Sequence, residues 1–449
     1  MKLKFLGAAG TVTGSSYVLT SNSNQSILID MGMFQGPKEI ESMNYLPYEY
    51  KIDQLSGALL THAHLDHCGR LPMLEYLGFT GDVWMTPATK ALTELVLYDS
   101  ARIAERHSDK PLYSQDDVEN LSTRFRTIDF NTRFAIGPFE ITFIKAGHLL
   151  GAGSILIKDT TSKGTIRTIV FSGDLGNDPE ELLQDREYIK SADAVVMEST
   201  YGNRLHSDAN PYKLLQDEIN ATEQAQSTLM IPSFSLEKTQ ELLHMIGHLK
   251  AEGKVAQETI VYLDSPMALT ATAIYENNFE YMNSHIQTEH RQQEPYEFPG
   301  LKIIYTHKNS QKIHKQDGTK VIIAGAGMMT GGRIVGHAAE YLSDPKNRLF
   351  FVGYQGEETL GRDLLEGKKE VKIGDKLVKV QAHIGRTDGM SAHADQTQLL
   401  AWLGKIDHVK KVFLTHGEDD SRAELAQKIQ SDLKLQNVAL PYLNQEIEL

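Results

Sequence analysis

The sequence is poor in cysteine. Cys68 is the only cysteine among 449 residues, so the chain cannot form an internal disulfide, and such chains are typical of a reducing compartment such as the cytoplasm. The sequence also lacks an apolar run of about 20 residues, the length of a membrane-spanning helix, and its N-terminus has no apolar signal-peptide core. These absences exclude a disulfide-rich secreted protein and a helical membrane protein, and they predict a soluble cytoplasmic chain with no membrane partner.

Positive charge is scarce as well. The chain has 45 lysine and arginine residues against 59 aspartate and glutamate residues, a formal net charge of -14. This charge counts against nucleic acid as a partner, because phosphate binding depends on lysine and arginine. A local basic groove can nevertheless exist on an acidic protein, and bound metal ions neutralise the acidic side chains that hold them. Composition therefore favours an enzyme and leaves its substrate open.

What the sequence does contain is a regular alternation of short apolar runs with turn residues. In the first 200 residues, runs bounded by glycine, asparagine and aspartate predict β-strands. These predicted strands lie at residues 3–6, 26–29, 57–60, 141–144 and 168–171. Residues 88–107 fit a helix better.

The pattern changes near residue 227, where longer units begin, each with a strand, a loop and a helix. The pairs of predicted strand and helix are 228–233 with 236–250, 321–324 with 332–342, and 349–352 with 359–365. Such units are typical of a parallel sheet. Polar, turn-rich segments at 204–210 and 367–379 mark the boundaries. We therefore predict an α/β protein in which a first domain, residues 1–204 and 376–449, is split by an inserted domain at 205–375.

The most compact group of potential metal ligands in the sequence follows the apolar pair Leu59-Leu60. It is the motif His62-x-His64-x-Asp66-His67. Histidines two residues apart project to the same side of an extended chain, so both reach one cation, while the following turn carries the next ligands toward a second cation. Imidazoles and carboxylates are ligands that zinc prefers. The motif predicts a metal site.

Further ligands must come from other strand ends. His148, Asp174 and His416 each stand where an apolar strand gives way to a polar or glycine-containing loop, and this shared placement predicts that they join the site. Cys68 follows His67 directly but is interpreted as an inert buried thiol. Other histidines lack the strand-end setting and are predicted to be structural, among them His107, His244 and His337.

Together these motifs resemble the metallo-β-lactamase superfamily, and Asp30 after the run 27–29 matches that superfamily's first motif. Three further matches resemble the β-CASP nucleases within it: Glu198 in the segment 197–203, His393 in 391–395 and His416 in 415–418. The resemblance implies an αββα metallo-β-lactamase sandwich with an inserted parallel-sheet α/β β-CASP domain.

The resemblance also implies roles for the ligands. It implies that His62, His64 and His148 hold one zinc ion, that Asp66, His67 and His416 hold another, and that Asp174 bridges the two. A hydroxide between the metals would be the nucleophile, since paired cations lower the pKa of water and neutralise phosphate charge. Asp30 is expected to orient a ligand or the water. The histidine-rich ligand set favours zinc over manganese.

Phosphodiester cleavage also needs a proton for the leaving oxygen. His393 is the candidate general acid, with Glu198 orienting it and supporting its charged form. The alternative is a histidine that only coordinates phosphate. His416 indicates RNA as the partner, because a histidine in this motif accompanies the RNA-processing β-CASP members.

These expectations combine into a zinc-dependent ribonuclease acting on single-stranded RNA. Endonuclease and 5′-exonuclease activity both stay open, and the sequence is compatible with a homo-oligomer. One alternative is a lactamase-like hydrolase of a small ester, thioester or phosphodiester, but the insertion and the pair of Glu198 and His393 disfavour it. Another is an RNA-binding scaffold without catalysis, which the full ligand set disfavours.

Two segments of the insertion are candidates for substrate binding. A glycine-rich loop at 324–333 follows a strand and precedes a helix, a geometry that presents backbone amides to phosphate, although the family more often has serine where Ala326 stands. The segment 232–238 resembles one in which relatives usually have glycine and arginine in place of Glu237 and Lys238. The predicted substrate-binding residues are Ser233, Lys238, Gly327, Thr330, Gly331, Gly332 and Arg333.

A basic patch at 302–320 is either a track for RNA, which would combine charge and stacking, or a solvated loop. Its lysines are Lys302, Lys308, Lys312, Lys315 and Lys320, with Tyr305, His307 and His314 among them.

Overall fold

The computed structural model of the protein describes residues 1–108, 110–162, 164–207, 209–291 and 295–449. The first of its two units combines Met1–Leu205 with Ala392–Leu449, and the second is His206–Ser391. The second unit is therefore an insertion in the first.

The described part of the first unit contains two seven-stranded sheets. Its strands, numbered along the chain, are β1 (Lys2–Phe5), β2 (Ser16–Thr20), β3 (Ser26–Met31), β4 (Leu55–Leu59), β5 (Val83–Met85), β6 (Phe125–Thr127), β7 (Arg133–Ile136), β8 (Phe139–Lys145), β9 (Gly153–Asp159), β10 (Thr168–Phe171), β11 (Ala194–Glu198), β20 (Lys411–Thr415), β21 (Val438–Ala439) and β22 (Glu446–Glu448). Its helices are α1 (Lys38–Ser42), α2 (Leu65–Cys68), α3 (Met73–Tyr76), α4 (Pro87–His107), α5 (Gln115–Ser122), α13 (Gln396–Gly404) and α14 (Asp419–Asp432), with 3-10 turns at Met43–Tyr45 and Ile52–Gln54.

Both sheets combine parallel and antiparallel neighbours. The first has the order β22-β1-β2-β3-β4-β5-β6, and the second has the order β21-β20-β11-β10-β9-β8-β7. In the second sheet, β11 pairs in parallel with both β10 and β20. The carboxyl ends of these three strands therefore lie at one edge of the sheet, although β20 follows β11 in the chain only after the insertion.

Apolar side chains from both sheets form one core. Alternate residues of a strand face the same side, and Phe5 of β1, Phe143 of β8 and Phe413 of β20 belong to the same buried cluster. The rings of Phe5 and Phe413 lie 5.4 Å apart between centroids. This shared core fixes the two sheets face to face and so fixes the loops at their edges.

The longest described helix of the first unit, α4, has a clear local cause. Pro87 occupies its first turn, where a missing N–H costs nothing. The Thr86 side chain accepts a hydrogen bond from the backbone amide of Thr89, which satisfies one of the free donors at the helix start. The predicted helix at 88–107 is thereby observed as Pro87–His107.

The second unit is built around a parallel six-stranded sheet with the order β14-β13-β15-β12-β16-β19, accompanied by the antiparallel hairpin β17-β18. Its strands are β12 (Thr228–Pro232), β13 (Ile260–Leu263), β14 (Leu301–Ile303), β15 (Lys320–Ala324), β16 (Arg348–Phe351), β17 (Glu370–Ile373), β18 (Lys376–Lys379) and β19 (His383–Arg386). Its helices are α6 (Pro211–Ala225), α7 (Lys238–Ala251), α8 (Pro266–Asn277), α9 (Ser284–His290), α10 (His307–Ile313), α11 (Gly332–Tyr341) and α12 (Leu360–Leu365), with a 3-10 turn at Phe279–Tyr281.

The predicted fold class, a sandwich with an inserted parallel-sheet domain, is confirmed. The junctions of the insertion differ in one respect from the expected 205–375. The structure places residues 376–391 with the insertion, because β19 pairs in parallel with β16, residue His383 opposite Arg348. Strand pairing between distant segments has no local sequence signal, and the domain boundary at residue 375 stays a prediction.

Among the described residues, no helix combines the length and the apolar character that crossing a membrane requires.

The core of the first unit generates a stability prediction. Phe413→Ala removes a fully buried ring from the cluster between the sheets and is expected to lower the free energy of unfolding by about 3–5 kcal/mol. Both tryptophans, Trp84 and Trp402, lie in this unit, so urea unfolding followed by their fluorescence reports on it. Tyr442→Ala is the control, since Tyr442 is 66% exposed. Equal midpoints for the two variants would contradict the assignment of Phe413 to the core.

Candidate metal centre

The predicted metal ligands lie where strands of the first unit end. His62 follows β4, His148 follows β8, Asp174 follows β10 and His416 follows β20. The backbone at His416 has φ +49°, a left-handed conformation that residues other than glycine seldom adopt and that often occurs at functional sites. The loops thus bring together residues that lie far apart in the sequence.

A first group of ligands forms around His64. Its Nδ1 atom lies 3.2 Å from Nε2 of His62 and 3.0 Å from Nε2 of His148. Oδ2 of Asp174 lies 3.5 and 3.6 Å from the same Nε2 atoms of His62 and His148. Ligands of a tetrahedral zinc ion, with bonds of about 2.0–2.1 Å, lie about 3.3 Å apart. The four side chains therefore have the spacing of ligands to a single cation.

A second group forms on the other side of Asp174. Nε2 of His416 lies 3.2 Å from Nε2 of His67 and 3.2 Å from Oδ2 of Asp66. Oδ1 of Asp174 lies 3.2 Å from Nε2 of His67. Asp174 thus offers one carboxylate oxygen to each group, as a ligand shared by two cations would.

The environment of the Asp174 carboxylate shows whether the surrounding residues fit a pair of metal ions. Its two carboxylate oxygens are buried, and neither accepts a hydrogen bond among the described residues. A buried charged group left without hydrogen bonds costs several kcal/mol, whereas ligation by cations satisfies it. The surrounding donors are imidazole nitrogens and carboxylate oxygens, which suit zinc. The site fits a pair of such ions.

Burial sets the protonation of the first group. It lowers the pKa of His62 and His148 well below the usual value and lowers that of His64 to about 4. These imidazoles are therefore neutral near pH 7, as metal binding requires. His67 differs: burial lowers its pKa, but two neighbouring carboxylates outweigh burial and raise the pKa well above the usual value. At His67 a proton therefore competes with a cation.

Asp30 fixes the orientation of His67. Its Oδ2 atom lies 2.7 Å from Nδ1 of His67, so Nδ1–H donates to the carboxylate and the lone pair of Nε2 points to the metal position. Asp30 is held in turn by Thr61, whose backbone amide donates to Oδ1 at 2.8 Å and whose hydroxyl donates to Oδ2 at 2.9 Å. Nδ1 of His148 similarly lies 2.9 Å from the carbonyl oxygen of Ala392.

His393 and Glu198 form a pair next to the metal ligands. Nδ1 of His393 lies 3.2 Å from Oε2 of the buried Glu198, and Nε2 lies 4.0 Å from Oδ2 of Asp174. The amide of Leu175 donates to Oε1 of Glu198 at 2.6 Å and fixes the carboxylate. Burial lowers the pKa of His393, but Glu198 outweighs burial and raises it to about 9. His393 therefore holds a proton at neutral pH, and its ring is 21% exposed.

Two threonines of the site were missed in the sequence. Thr61 positions Asp30, and the Oγ1 atom of Thr200 lies 3.1 Å from Nδ1 of His416. Both stand beside residues that were singled out, Thr61 before His62 and Thr200 shortly after Glu198. A hydroxyl adjacent to a ligand motif is the signal that would have found them, since the second nitrogen of a ligating histidine usually has a hydrogen-bond partner.

The predicted substrate-binding residues belong to the second unit. Ser233 is buried and accepts a hydrogen bond from the hydroxyl of Thr239 at 3.0 Å. Lys238 is buried, and its Nζ atom lies 2.5 Å from Oε2 of Glu241. This ion pair compensates the charge of Lys238, so an exposed phosphate clamp at this position would require the pair to open. A role of Ser233 and Lys238 in substrate binding stays a prediction.

The glycine-rich loop leads into α11. Thr330 is exposed, and Gly331 is the residue directly before the helix. Gly332 has φ +73°, and a Cβ atom there would lie 2.2 Å from the carbonyl oxygen of Gly325, so glycine is required. A Cβ atom at Gly327 would in turn lie 2.7 Å from the Phe234 ring. Phosphate binding by the loop stays a prediction.

Arg333, the last of the predicted substrate-binding residues, makes contacts within its own unit. Its Nη1 atom donates to Oδ1 of the buried Asp264 at 2.6 Å, and Nη2 donates to the carbonyl oxygen of Tyr305 at 3.0 Å. In the basic patch, Lys320 is buried, whereas the lysines that are exposed are Lys302, Lys308, Lys312 and Lys315. The charged surface of the patch is therefore smaller than its sequence indicates.

A lactamase-like sandwich that holds two ligand groups around one shared aspartate defines a metal-dependent hydrolase. Residues 9–252 match the metallo-beta-lactamase superfamily, residues 239–364 match the Beta-Casp domain, and residues 377–441 match the Zn-dependent metallo-hydrolase RNA specificity domain. The chain belongs to the metallo-β-lactamase superfamily and, within it, to the β-CASP family.

Individual proteins are similar over nearly the whole chain. Ribonuclease TTHA0252 of Thermus thermophilus is 35% identical over 425 residues, which cover 94% of each chain. Transcription termination factor FttA of Methanosarcina mazei is 30% identical over 446 residues, which cover 96% of this chain and 69% of that protein. A crystal structure of a protein of unknown function from Enterococcus faecalis has a TM-score of 0.57 at 11% identity, covers 100% of this chain and 99% of its own, and shows the shared fold.

The contact between Asp30 and His67 generates a prediction about metal affinity. Asp30→Asn keeps the backbone conformation, because asparagine tolerates the φ of +56° found here. The asparagine amide, however, donates where the carboxylate accepted, which favours the His67 tautomer with its proton on Nε2. We expect zinc affinity to fall about 10- to 100-fold, measured by competition with a chromophoric chelator. Asp53→Asn, an exposed position, is the control. Unchanged affinity in Asp30→Asn would show that Asp30 does not set the tautomer.

Glu237 generates a prediction about pH and stability. Burial raises the pKa of Glu237 to about 7 from 4.5, against the lowering effects of Lys238 and Tyr275. An acid with a raised pKa in the folded state is most compatible with folding when protonated. The contribution of Glu237 to the free energy of unfolding is therefore fully present below about pH 4.5, and it is lost as the pH rises toward 7. Relative to Glu237→Gln, the free energy of unfolding of the wild-type protein should fall by on the order of 2 kcal/mol between pH 5 and pH 8.

The measurement is urea unfolding followed by circular dichroism at both pH values. Glu258→Gln, an exposed position of the same unit, should behave as the wild-type protein does. If Glu237→Gln and the wild-type protein lose the same stability between the two pH values, Glu237 is not the group responsible.

Proposed function

We propose that the protein is a zinc-dependent ribonuclease that hydrolyses phosphodiester bonds of single-stranded RNA. The observation that carries the proposal is the buried Asp174 shared by two ligand groups beside the ion pair of His393 and Glu198. RNA as the substrate is supported by similarity to Ribonuclease TTHA0252 along the chain and by the RNA specificity domain matched at residues 377–441. The cytoplasm as its location stays a prediction that rests on the single cysteine.

The ligand groups divide the metal sites between them. One zinc ion would be held by His62, His64, His148 and Asp174, and the other by Asp66, His67, His416 and Asp174. When bound, the pair supplies Lewis-acid stabilisation of phosphate oxygens and lowers the pKa of water toward neutrality. Asp30 orients His67 for this task, and the carbonyl of Ala392 orients His148.

His393 supplies the proton that the leaving oxygen requires. Its Nδ1–H donates to Glu198, which leaves the proton on Nε2 directed toward the side of the ring where Asp174 lies. Glu198 is a positioning residue: it holds the ring and stabilises its charged form. A positioned imidazole acid of this kind contributes about 10²- to 10⁴-fold to the rate.

The test combines metal removal with one substitution. The purified protein is incubated with single-stranded RNA labelled at either end and with DNA of the same sequence, with and without a chelator. We expect RNA cleavage that the chelator abolishes and zinc restores. His393→Ala should lower kcat about 10²- to 10⁴-fold with unchanged zinc content, because His393 is not one of the seven ligands.

His408→Asn is the matched control, since His408 is exposed in the same unit and its φ of +67° is tolerated by asparagine. The lengths of the labelled products separate internal cleavage from stepwise degradation from the 5′ end. Equal cleavage of RNA and DNA would overturn the RNA-specific function. Cleavage that survives metal removal would overturn the metal-dependent mechanism.

A further inference from the structure

The second unit contains a cluster of histidines outside the metal centre described above. His244 and His248 stand four residues apart on α7, so they project from the same face of the helix. His285 and Glu289 have the same spacing on α9. The two helix faces meet at Glu289: its Oε1 atom lies 3.0 Å from Nε2 of His248 and 3.1 Å from Nε2 of His285.

Three atoms of this cluster form a nearly equilateral triangle. Nε2 of His244 lies 3.1 Å from Nε2 of His248, and Oε2 of Glu289 lies 2.9 Å and 3.3 Å from these two nitrogens, respectively. Ligands of a tetrahedral zinc ion lie about 3.3 Å apart. The ligand nitrogens of the catalytic groups show the same separations, 3.0–3.2 Å. The cluster therefore has the spacing of a metal site.

Hydrogen bonding satisfies this triangle less well than a cation does. If both Nε2 atoms carry protons, both donate to the carboxylate of Glu289, but two N–H donors then lie 3.1 Å apart with no acceptor between them. If one nitrogen lacks its proton, its lone pair faces a carboxylate oxygen, and the two acceptors repel each other. A cation accepts lone pairs from both nitrogens and the oxygen without either conflict.

Exposure of the three side chains is suited to an ion that enters from solvent. The side chain of His244 is 2% exposed, that of Glu289 is 15% exposed and that of His248 is 29% exposed. His285 is 71% exposed and contacts the remaining carboxylate oxygen of Glu289. The site thus has a buried floor, an accessible rim and a further imidazole that orients the carboxylate.

We infer that His244, His248 and Glu289 bind a further divalent transition-metal ion, for which zinc serves as the probe. Two imidazoles and a carboxylate select zinc, cobalt or nickel over magnesium and calcium, which prefer oxygen ligands. The ion links α7 to α9 and stabilises the second unit. His244, predicted from the sequence to be structural, thereby becomes a ligand. The inference is independent of the proposed nuclease activity.

The test measures bound zinc per chain on the full-length protein after metal depletion, by equilibrium dialysis and elemental analysis. The wild-type protein should bind one ion more per chain than His248→Gln and one more than Glu289→Gln. His307→Gln, an exposed histidine of the same unit, should bind as many ions as the wild-type protein. Equal binding by the wild-type protein and both ligand variants would overturn the site and leave a hydrogen-bonded cluster.

A second background separates this site from the catalytic pair. In the double variant His67→Ala, His148→Ala, the catalytic groups are disabled, and we expect one zinc ion to remain bound and to raise Tm on titration. Adding His248→Gln should abolish both the binding and the Tm shift. If the double variant binds no zinc, the inferred site is overturned. If the double variant binds as much zinc as the wild-type protein, the proposed catalytic ligands are wrong and the inferred site stands.

Discussion

The buried carboxylate of Asp174 is the constraint on which the rest of the site depends. It follows β10, next to β11 in the second sheet, and imidazoles of both ligand groups surround it. A charge in such a place is compatible with folding only if opposite charge meets it. The hydrogen bonds of Asp30 and of the Ala392 carbonyl serve the same end, since they turn imidazole lone pairs toward that position. The candidate metal centre and the architecture of the sandwich are therefore coupled.

The sequence was most informative where chemistry is local. The motif at 62–67 places four potential ligands within six residues, so it predicts a metal site without any knowledge of the rest of the fold. His148, Asp174 and His416 could be proposed because each stands at a strand end, and the structure brings them to the same place as the motif. Thr61 and Thr200 were missed because hydroxyl groups are common in loops, and only their position next to the ligand motifs distinguishes these two.

Contacts between segments that lie far apart in the chain were harder to predict from the sequence. The strand–helix units of the insertion were predicted from their lengths and apolar runs, but the pairing of β19 with β16 was not, because nothing near residues 383–386 indicates a partner. His244 shows the same difficulty for a site. Its spacing from His248 is visible in the sequence, but Glu289 lies on another helix, and only the packing of α7 against α9 brings the three side chains together.

The order of the elements along the chain also determines when the protein can become active. The insertion separates β11 from β20, so His393 and His416 are made only after residues 206–391 have been synthesised. Until then, the chain contains the three imidazoles of the first ligand group but neither His416, the last proposed ligand of the second group, nor His393, the proposed proton donor. The proposed catalytic site can therefore be completed only after the insertion has been synthesised.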